Sequence, residues 1–237
     1  MSARIEKVLT AGNADPAGPP VHENNTWVIG DDAEVVVIDP AHDADAVEAV
    51  VGSRRVVGVL ITHGHWDHIR QAAVFAERHG LVARMNPADR FLWEDELDDA
   101  PFDALNDGDR IPVAGVELVA MHTPGHTPGS TSFVVATPLE PIARLDGDTL
   151  LEPIPGPKGP DRVERSRPGV VFTGDTLFPG GPGATRWSFS SFDGILASIE
   201  TRLFVLPDDT VVHPGHGEST TIGAERPHLE DWRARGW

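Results

Sequence analysis

Thr62-His63-Gly64-His65-Trp66-Asp67-His68 packs three imidazoles and a carboxylate into six consecutive positions. The apolar run Val56-Val57-Gly58-Val59-Leu60-Ile61 precedes it, and the helix-compatible Ile69-Arg70-Gln71-Ala72-Ala73-Val74-Phe75-Ala76 follows. The cluster is therefore expected at the carboxyl end of a buried strand, where open α/β sheets bind their ligands. His63 and His65 are two apart, so extended backbone points both to the same side. Asp67 and His68 come as the chain turns into the helix and can face a point a few ångströms away. Such a spread suits two neighbouring metal ions better than one. Imidazole with carboxylate selects zinc first, with iron or manganese as alternatives.

A metal site built this way should recruit ligands from other strand ends, and three further segments offer them. The strand-like Val116-Glu117-Leu118-Val119-Ala120-Met121 runs into His122-Thr123-Pro124-Gly125-His126. Val170-Val171-Phe172-Thr173 ends in Gly174-Asp175-Thr176, and Asp209-Thr210-Val211-Val212 delivers His213-Pro214-Gly215-His216-Gly217. A second Gly-Asp-Thr-Leu occurs at 147–150, but it follows no apolar strand. A ligand needs a rigid support, so Asp175 is preferred to Asp148.

The remaining pattern predicts an edge strand over 4–9 and a hairpin of 26–30 with 34–39, turning at Gly30-Asp31-Asp32. A helix over 43–51 is expected, with Asp43 as N-cap and Gly52 as stop. One helix should run from the histidine cluster to about His79, followed by a strand at 81–85. An acidic helix at 87–99 should turn Phe91, Leu92 and Leu97 inward. A strand over 131–136, a helix over 192–204 and a short helix in the tail from 222 complete the pattern. This order describes two related halves, each a sheet backed by helices, joined into one α/β domain of four layers spanning 1–237. Residues 138–168 hold seven prolines in 31 positions. They read either as a surface insertion folded over the active-site mouth or as a linker.

Composition narrows the function. A hydrophobic share of 40% with 24% charged residues fits a globular chain with a real core. The net charge of −18 and the lack of any basic block argue against a nucleic-acid partner, whose affinity rests on phosphate neutralisation. With no cysteine there is no thiolate nucleophile and no sulfur ligand, and with no tyrosine one catalytic acid is gone. The N-terminus has no apolar signal core and no run reaches membrane-spanning length, so a cytoplasmic protein with a small-molecule substrate is expected.

Together the four segments resemble the metallo-β-lactamase fold superfamily, an αβ/βα sandwich of two mixed sheets flanked by helices with a metal site along one edge. His63, His65, Asp67 and His68 match its His-x-His-x-Asp-His motif. His126, Asp175 and His216 match its later histidine, its Thr-Gly-Asp aspartate and its Pro-Gly-His-Gly histidine. The resemblance implies that His63, His65 and His126 hold one metal and that Asp67, His68 and His216 hold another. Asp175 would bridge the two, and Asp67 would be catalytic as well as a ligand. His22, His42, His79 and His228 are expected in surface or capping roles. His122 and His213 either support the ligand rings or simply pack at strand ends.

Within the superfamily, Phe172-Thr173-Gly174-Asp175-Thr176-Leu177-Phe178 and Leu206 to Gly217 look most like the short, single-domain glyoxalase II-like hydrolases. The chain ends too soon for the helical domain that grips glutathione in the longer enzymes, so another small thiol is an expected carrier. The resemblance thus implies a dinuclear hydrolase acting on a thioester of a low-molecular-weight thiol, with Phe178, Arg186 and Trp187 lining the pocket. A mononuclear iron persulfide dioxygenase and a lactone hydrolase of the same fold are the alternatives.

Overall fold

The computed structural model describes residues 3–15, 18–19, 21–135 and 169–236; the proline-rich stretch at 138–168, with Asp148, lies outside them. Two six-stranded sheets dominate the described residues. In the first, β1 (Arg4–Gly12), β2 (His22–Gly30) and β3 (Glu34–Ile38) pair antiparallel. From β3 onward β4 (Arg55–Leu60), β5 (Ala83–Met85) and β6 (Phe102–Ala104) add in parallel. Parallel neighbours need crossovers. Helix α1 (Ala44–Val51) makes the first, its Asp43 side chain accepting from Ala46 N at 2.9 Å and Gly52 ending it at φ +62°.

The second sheet contains β7 (Arg110–Val113), β8 (Val116–His122), β9 (Thr131–Val135), β10 (Val170–Gly174), β13 (Val211–Pro214) and β14 (Thr220–Thr221). Its spatial order is β14-β13-β10-β9-β8-β7, with only β10 and β13 parallel. A small ribbon of β11 (Leu177–Phe178) and β12 (Gly181–Pro182) follows β10.

The apolar runs are long because both faces of each sheet are covered. Val36, Ile38, Trp27 and Leu60 of the first sheet meet Leu118, Phe133, Val135 and Phe172 of the second in a central core. The alternate residues Val35, Val37 and Val59 face outward against Val47 and Val51 of α1, Phe75 of α3 (Ala72–Arg78) and Trp93 of α4 (Arg90–Leu97). Val171 and Val212 likewise face Ile195 and Leu196 of α5 (Phe192–Ser198) and Trp232 of the last helix, α7 (Leu229–Arg235), with α6 (Ile222–Glu225) before it. The layers run helix, sheet, sheet, helix. Phe133 is fully buried at the centre, and truncating a core phenylalanine costs about 3–5 kcal/mol.

Several elements differ from the sequence pattern. The helix expected to run to His79 breaks into α2 (Trp66–Ile69) and α3, because Gln71 N donates to Ala41 O instead of to its own helix. In α4 the fully buried side chain is Trp93, which donates to Ala100 O, while Phe91 is largely exposed. The 192–204 helix ends in a π turn, Ile199–Leu203, that keeps Ile199 and Leu203 in the core. Strands β6, β7, β11, β12 and β14 were not legible: most are two or three residues long, and Pro112 sits in β7, an edge strand where a missing donor is tolerated.

Candidate metal centre

Strand ends from both sheets converge on one edge. β4 leads into His63 and His65, β8 into the loop of His126, β10 into Asp175, and β13 into His216. All seven of the side chains singled out by the motifs lie together, in three overlapping groups: His63, His65 and His126; His63, His68 and Asp175; Asp67, His68 and His216.

Within the first group, His65 Nδ1 lies 3.0 Å from His63 Nε2 and 2.9 Å from His126 Nε2. In the last, His216 Nε2 lies 3.3 Å from both His68 Nε2 and Asp67 Oδ2. Asp175 spans the two: Oδ2 is 3.5 Å from His126 Nε2 and 3.4 Å from His216 Nε2, and Oδ1 is 3.4 Å from His68 Nε2. Asp175 Oδ1 is buried without a hydrogen-bond donor. A bare buried carboxylate oxygen is costly, and a cation among these ring nitrogens would satisfy it. The donor set therefore fits divalent metal ions.

His65 turns Nδ1 to the cluster and its buried Nε2 has no hydrogen-bond partner, whereas the far side of the other four rings is fixed. His63 Nδ1 meets Thr62 Oγ1 at 3.1 Å, and His68 Nδ1 donates to Asp39 Oδ2 at 2.9 Å. His126 Nδ1 donates to Ala184 O at 2.7 Å, and His216 Nδ1 to Glu23 O at 2.6 Å. Such partners fix tautomer and ring orientation, leaving Nε2 of each free to face the cluster.

Residues that carry no motif hold this arrangement. Asp39, at the end of β3 with φ +50°, accepts from Thr62 N at 2.8 Å and Thr62 Oγ1 at 2.6 Å as well as from His68. Asp89 ties the two histidine loops together, accepting from Gly64 N, Thr127 Oγ1 and Gly129 N at 2.9, 2.6 and 2.6 Å. Asn25 donates to Pro214 O and Gly217 O, both at 3.0 Å, and so pins the His216 loop to the first sheet. Gly125, at φ +145°, lets the His126 loop pass α5, where a Cβ would lie 2.2 Å from Ile195 N. Asn24, fully buried, points its amide into the last group, with His42 behind it: His42 Nε2 is 2.7 Å from Asn24 Oδ1. His42 is thus half-buried beside the centre rather than on the surface.

Burial keeps His63 well below the ordinary imidazole range, aided by the charges of His68, His126 and His65. Burial, then His126, brings His65 down to about 3, and His126 is lowered chiefly by burial. These rings are neutral at pH 7. In the other group burial is overcome: Asp175, then Asp67, push His216 up to about 11, and Asp175, Asp67 and Asp39 raise His68. Burial would raise both carboxyls, but His68 and His216 hold Asp67 below its usual range, and His216 and His68 do so for Asp175.

Of the expected pocket residues, Trp187 lies with its ring 4.4 Å from that of His65 and 5.4 Å from that of His126. Phe178 stacks on His216 at 6.3 Å. Arg186 is exposed and lies over Trp187, 4.9 Å from its ring centre. Phe189, not singled out from sequence, stacks on Trp187 at 6.1 Å and meets Phe91 at 5.2 Å. His213 touches no ligand ring; it is buried against Trp27, bonded to Ser219 Oγ at 2.7 Å, and lowered by burial to about 3. His122 Nε2 donates to Pro128 O at 2.8 Å and braces the His126 loop.

Known proteins resemble this chain over most of its length. The chain is 35% identical over 221 residues to an uncharacterized protein of Mycobacterium tuberculosis (strain ATCC 25618 / H37Rv), covering 83% of this chain and 88% of that one. It is 28% identical to the hydroxyacylglutathione hydrolase GloC of Haemophilus influenzae, over 86% of this chain and 90% of that protein. The solved structure of TTHA1623 in a di-iron-bound form superposes with a TM-score of 0.63 at 26% identity, covering 86% of this chain and 92% of that one. The profile of the metallo-beta-lactamase superfamily matches residues 19–138. With that profile covering half of the chain and relatives that span most of its length, the chain belongs to the metallo-beta-lactamase superfamily.

Proposed function

We propose that this chain is a dinuclear metal-dependent hydrolase that cleaves a thioester of a low-molecular-weight thiol. His63, His65 and His126 would hold one ion, Asp67, His68 and His216 the other, and Asp175 would bridge them. The observation that carries the proposal is the pairing of two three-residue groups on either side of Asp175, whose buried Oδ1 accepts no hydrogen bond. Two ions at such a centre would lower the pKa of a shared water toward ~7 and offset charge on the acyl oxygen and the leaving sulfur.

The chain's own side chains do the rest. Asp67, held ionised by His68 and His216, can accept a hydrogen bond from the water and orient it. Trp187 and Phe189 form an apolar wall over the His65 and His126 side, and Phe178 forms one over His216. An acyl group laid between them is shielded from bulk water. A groove of about 580 Å³ runs from Phe178 past Gly181 to Arg235 and is where the thiol carrier would lie. The likeness to GloC supports the reaction class. Zinc suits the nitrogen-rich groups, and the di-iron form of TTHA1623 supports iron as the other choice.

The test is thiol release from a panel of acyl-thiols by metal-replete protein. With no cysteine in the chain, a colorimetric thiol reagent reads only product. Turnover that disappears on chelation and returns with metal is expected. No turnover of any acyl-thiol, with oxygen uptake on a persulfide instead, would replace this reading by the dioxygenase one.

A further inference from the structure

We propose that Asn24 is an additional ligand of the second metal ion, through its carboxamide oxygen, with His42 as the residue that positions it. The inward amide atom of Asn24, Nδ2, caps the triangle formed by the Asp67, His68 and His216 donor atoms. It lies 3.3 Å from Asp67 Oδ2, 3.3 Å from His68 Nε2 and 3.4 Å from His216 Nε2. An atom practically equidistant from three donor atoms stands at the apex over their centre, next to whatever fills it. Asn24 is a buried polar residue on a strand whose next residues, Thr26 to Ile29, are also buried. Nδ2 donates to Asp67 Oδ2, so the carboxamide already faces the acidic donor of the group.

Nδ2 is the atom that points inward in the structure, and Oδ1 faces His42 Nε2 at 2.7 Å. A half-turn about Cβ–Cγ exchanges the two ends without moving any other atom. Chemistry favours that exchange once a cation fills the triangle, because an amide N–H₂ has no lone pair to offer and carries positive charge. The oxygen is a hard donor of the kind that zinc, iron and manganese accept. After the half-turn the N–H₂ donates to His42 Nε2, which accepts as a neutral imidazole protonated at Nδ1. His42 is thereby the partner that holds the oxygen toward the ion, as hydrogen-bonded neighbours hold other metal ligands. The strand pairing explains the reach: β2 runs past the His216 loop, with Asn25 N donating to Gly215 O at 2.7 Å.

This inference rests on the two-ion reading but not on the thioester substrate, so a failed substrate panel leaves it standing. The experiment is a chelator competition that resolves the two ions, together with the visible spectrum of the cobalt-substituted protein, on the parent chain and Asn24→Ala. The second ion should bind roughly 10–100-fold more weakly in Asn24→Ala, with the first unchanged. The cobalt bands of the second site should gain intensity as the coordination number falls. His42→Ala should show the same direction with a smaller loss. Wild-type affinity and spectrum in Asn24→Ala would overturn the assignment. So would equal loss of both ions with a lower melting temperature of the metal-free chain, the mark of a merely structural residue. Should Asn24→Ala not fold, the isosteric Asn24→Asp gives the answer: retained or tighter second-ion binding supports a ligand, and weaker binding overturns it. Absence of a second ion in the parent chain would instead sink the two-ion reading itself.

Discussion

Replacing Asp39 by asparagine removes one charge and almost no volume, yet it should damage the second metal position more than any change so far from the substrate path. Asp39 Oδ1 accepts from the backbone Thr62 N at 2.8 Å, and a backbone donor cannot reverse. The amide oxygen of Asp39→Asn must stay there, which puts the N–H₂ where Oδ2 was, 2.9 Å from His68 Nδ1. His68 can then keep its proton on Nδ1 and face a donor with a donor. Alternatively it moves the proton to Nε2, which points into the triangle with Asp67 and His216. Either state leaves one buried polar pair unmade, at about 1–3 kcal/mol. At 1.4 kcal/mol per decade this is roughly a 10–100-fold loss in affinity for the second ion.

The assay is chelator competition with melting of the metal-free protein measured alongside. Asp39→Ala is the informative control. It strands the Thr62 N–H and hydroxyl and should melt lower than Asp39→Asn. It nevertheless leaves His68 free to hold its proton on Nδ1, so it should bind the second ion more tightly. Affinity and stability would thus rank the two variants in opposite orders. Wild-type affinity in Asp39→Asn, or the same order in both measurements, would refute the tautomer argument.

Three further outcomes follow from the same geometry. Gly215→Ala should fold but lose metal, because its Cβ would lie 2.5 Å from both Asp175 Oδ1 and His68 Cε1; metal content near that of the parent would contradict this. Asp89→Ala orphans the buried Gly64 and Gly129 amides and should cost on the order of 3 kcal/mol, lowering the melting temperature by about 6–12 °C; a shift within error would show that the loops find other partners. Raising pH from 6 to 9 should strengthen second-ion binding at least about tenfold per unit, since the ion displaces a proton held with a pKa of about 11 on His216 and competes with protonation of His68, which is raised as well. His63, His65 and His126 are lowered, so the first ion's affinity should stay flat over that range.

The sign for stability differs between the two kinds of histidine. His216, raised in the fold, stabilises it fully below the unfolded value of 6.5 and loses that effect as pH rises through about 11. His65, lowered to about 3, works the other way: the unfolded chain takes up a proton near pH 6.5 and the fold cannot, so stability falls between pH 6.5 and about 3. Calorimetry of the metal-free chain from about pH 3 to about pH 11 checks both, the acid half for His65 and the alkaline half for His216.

Strand ends after apolar runs were readable because burial on both sheet faces forces unbroken Val/Ile/Leu segments, and polar residues can follow only where the strand leaves the core. The His63 to His68 segment, His126, Asp175 and His216 all stand at such exits. The residues that hold them were not readable. Asp39 matters only because β3 and β4 lie in parallel, which sets it beside Thr62. Asn24 and His216 are 192 positions apart and meet only when the two sheets close on each other. Asp89 sits in an acidic helical stretch where nothing distinguishes it from solvated neighbours, although it is fully buried. The break between α2 and α3 depends on Ala41, a residue from another loop, accepting from Gln71. Local pattern carries the exits, and tertiary pairing carries their support.

Metal content of anaerobically purified chain, beside that of His216→Ala, tests the two-ion centre most directly. Two ions per chain in the parent and one in His216→Ala are predicted, with the remaining ion held by His63, His65 and His126. A single ion in both proteins, or loss of both ions together in the variant, would contradict it.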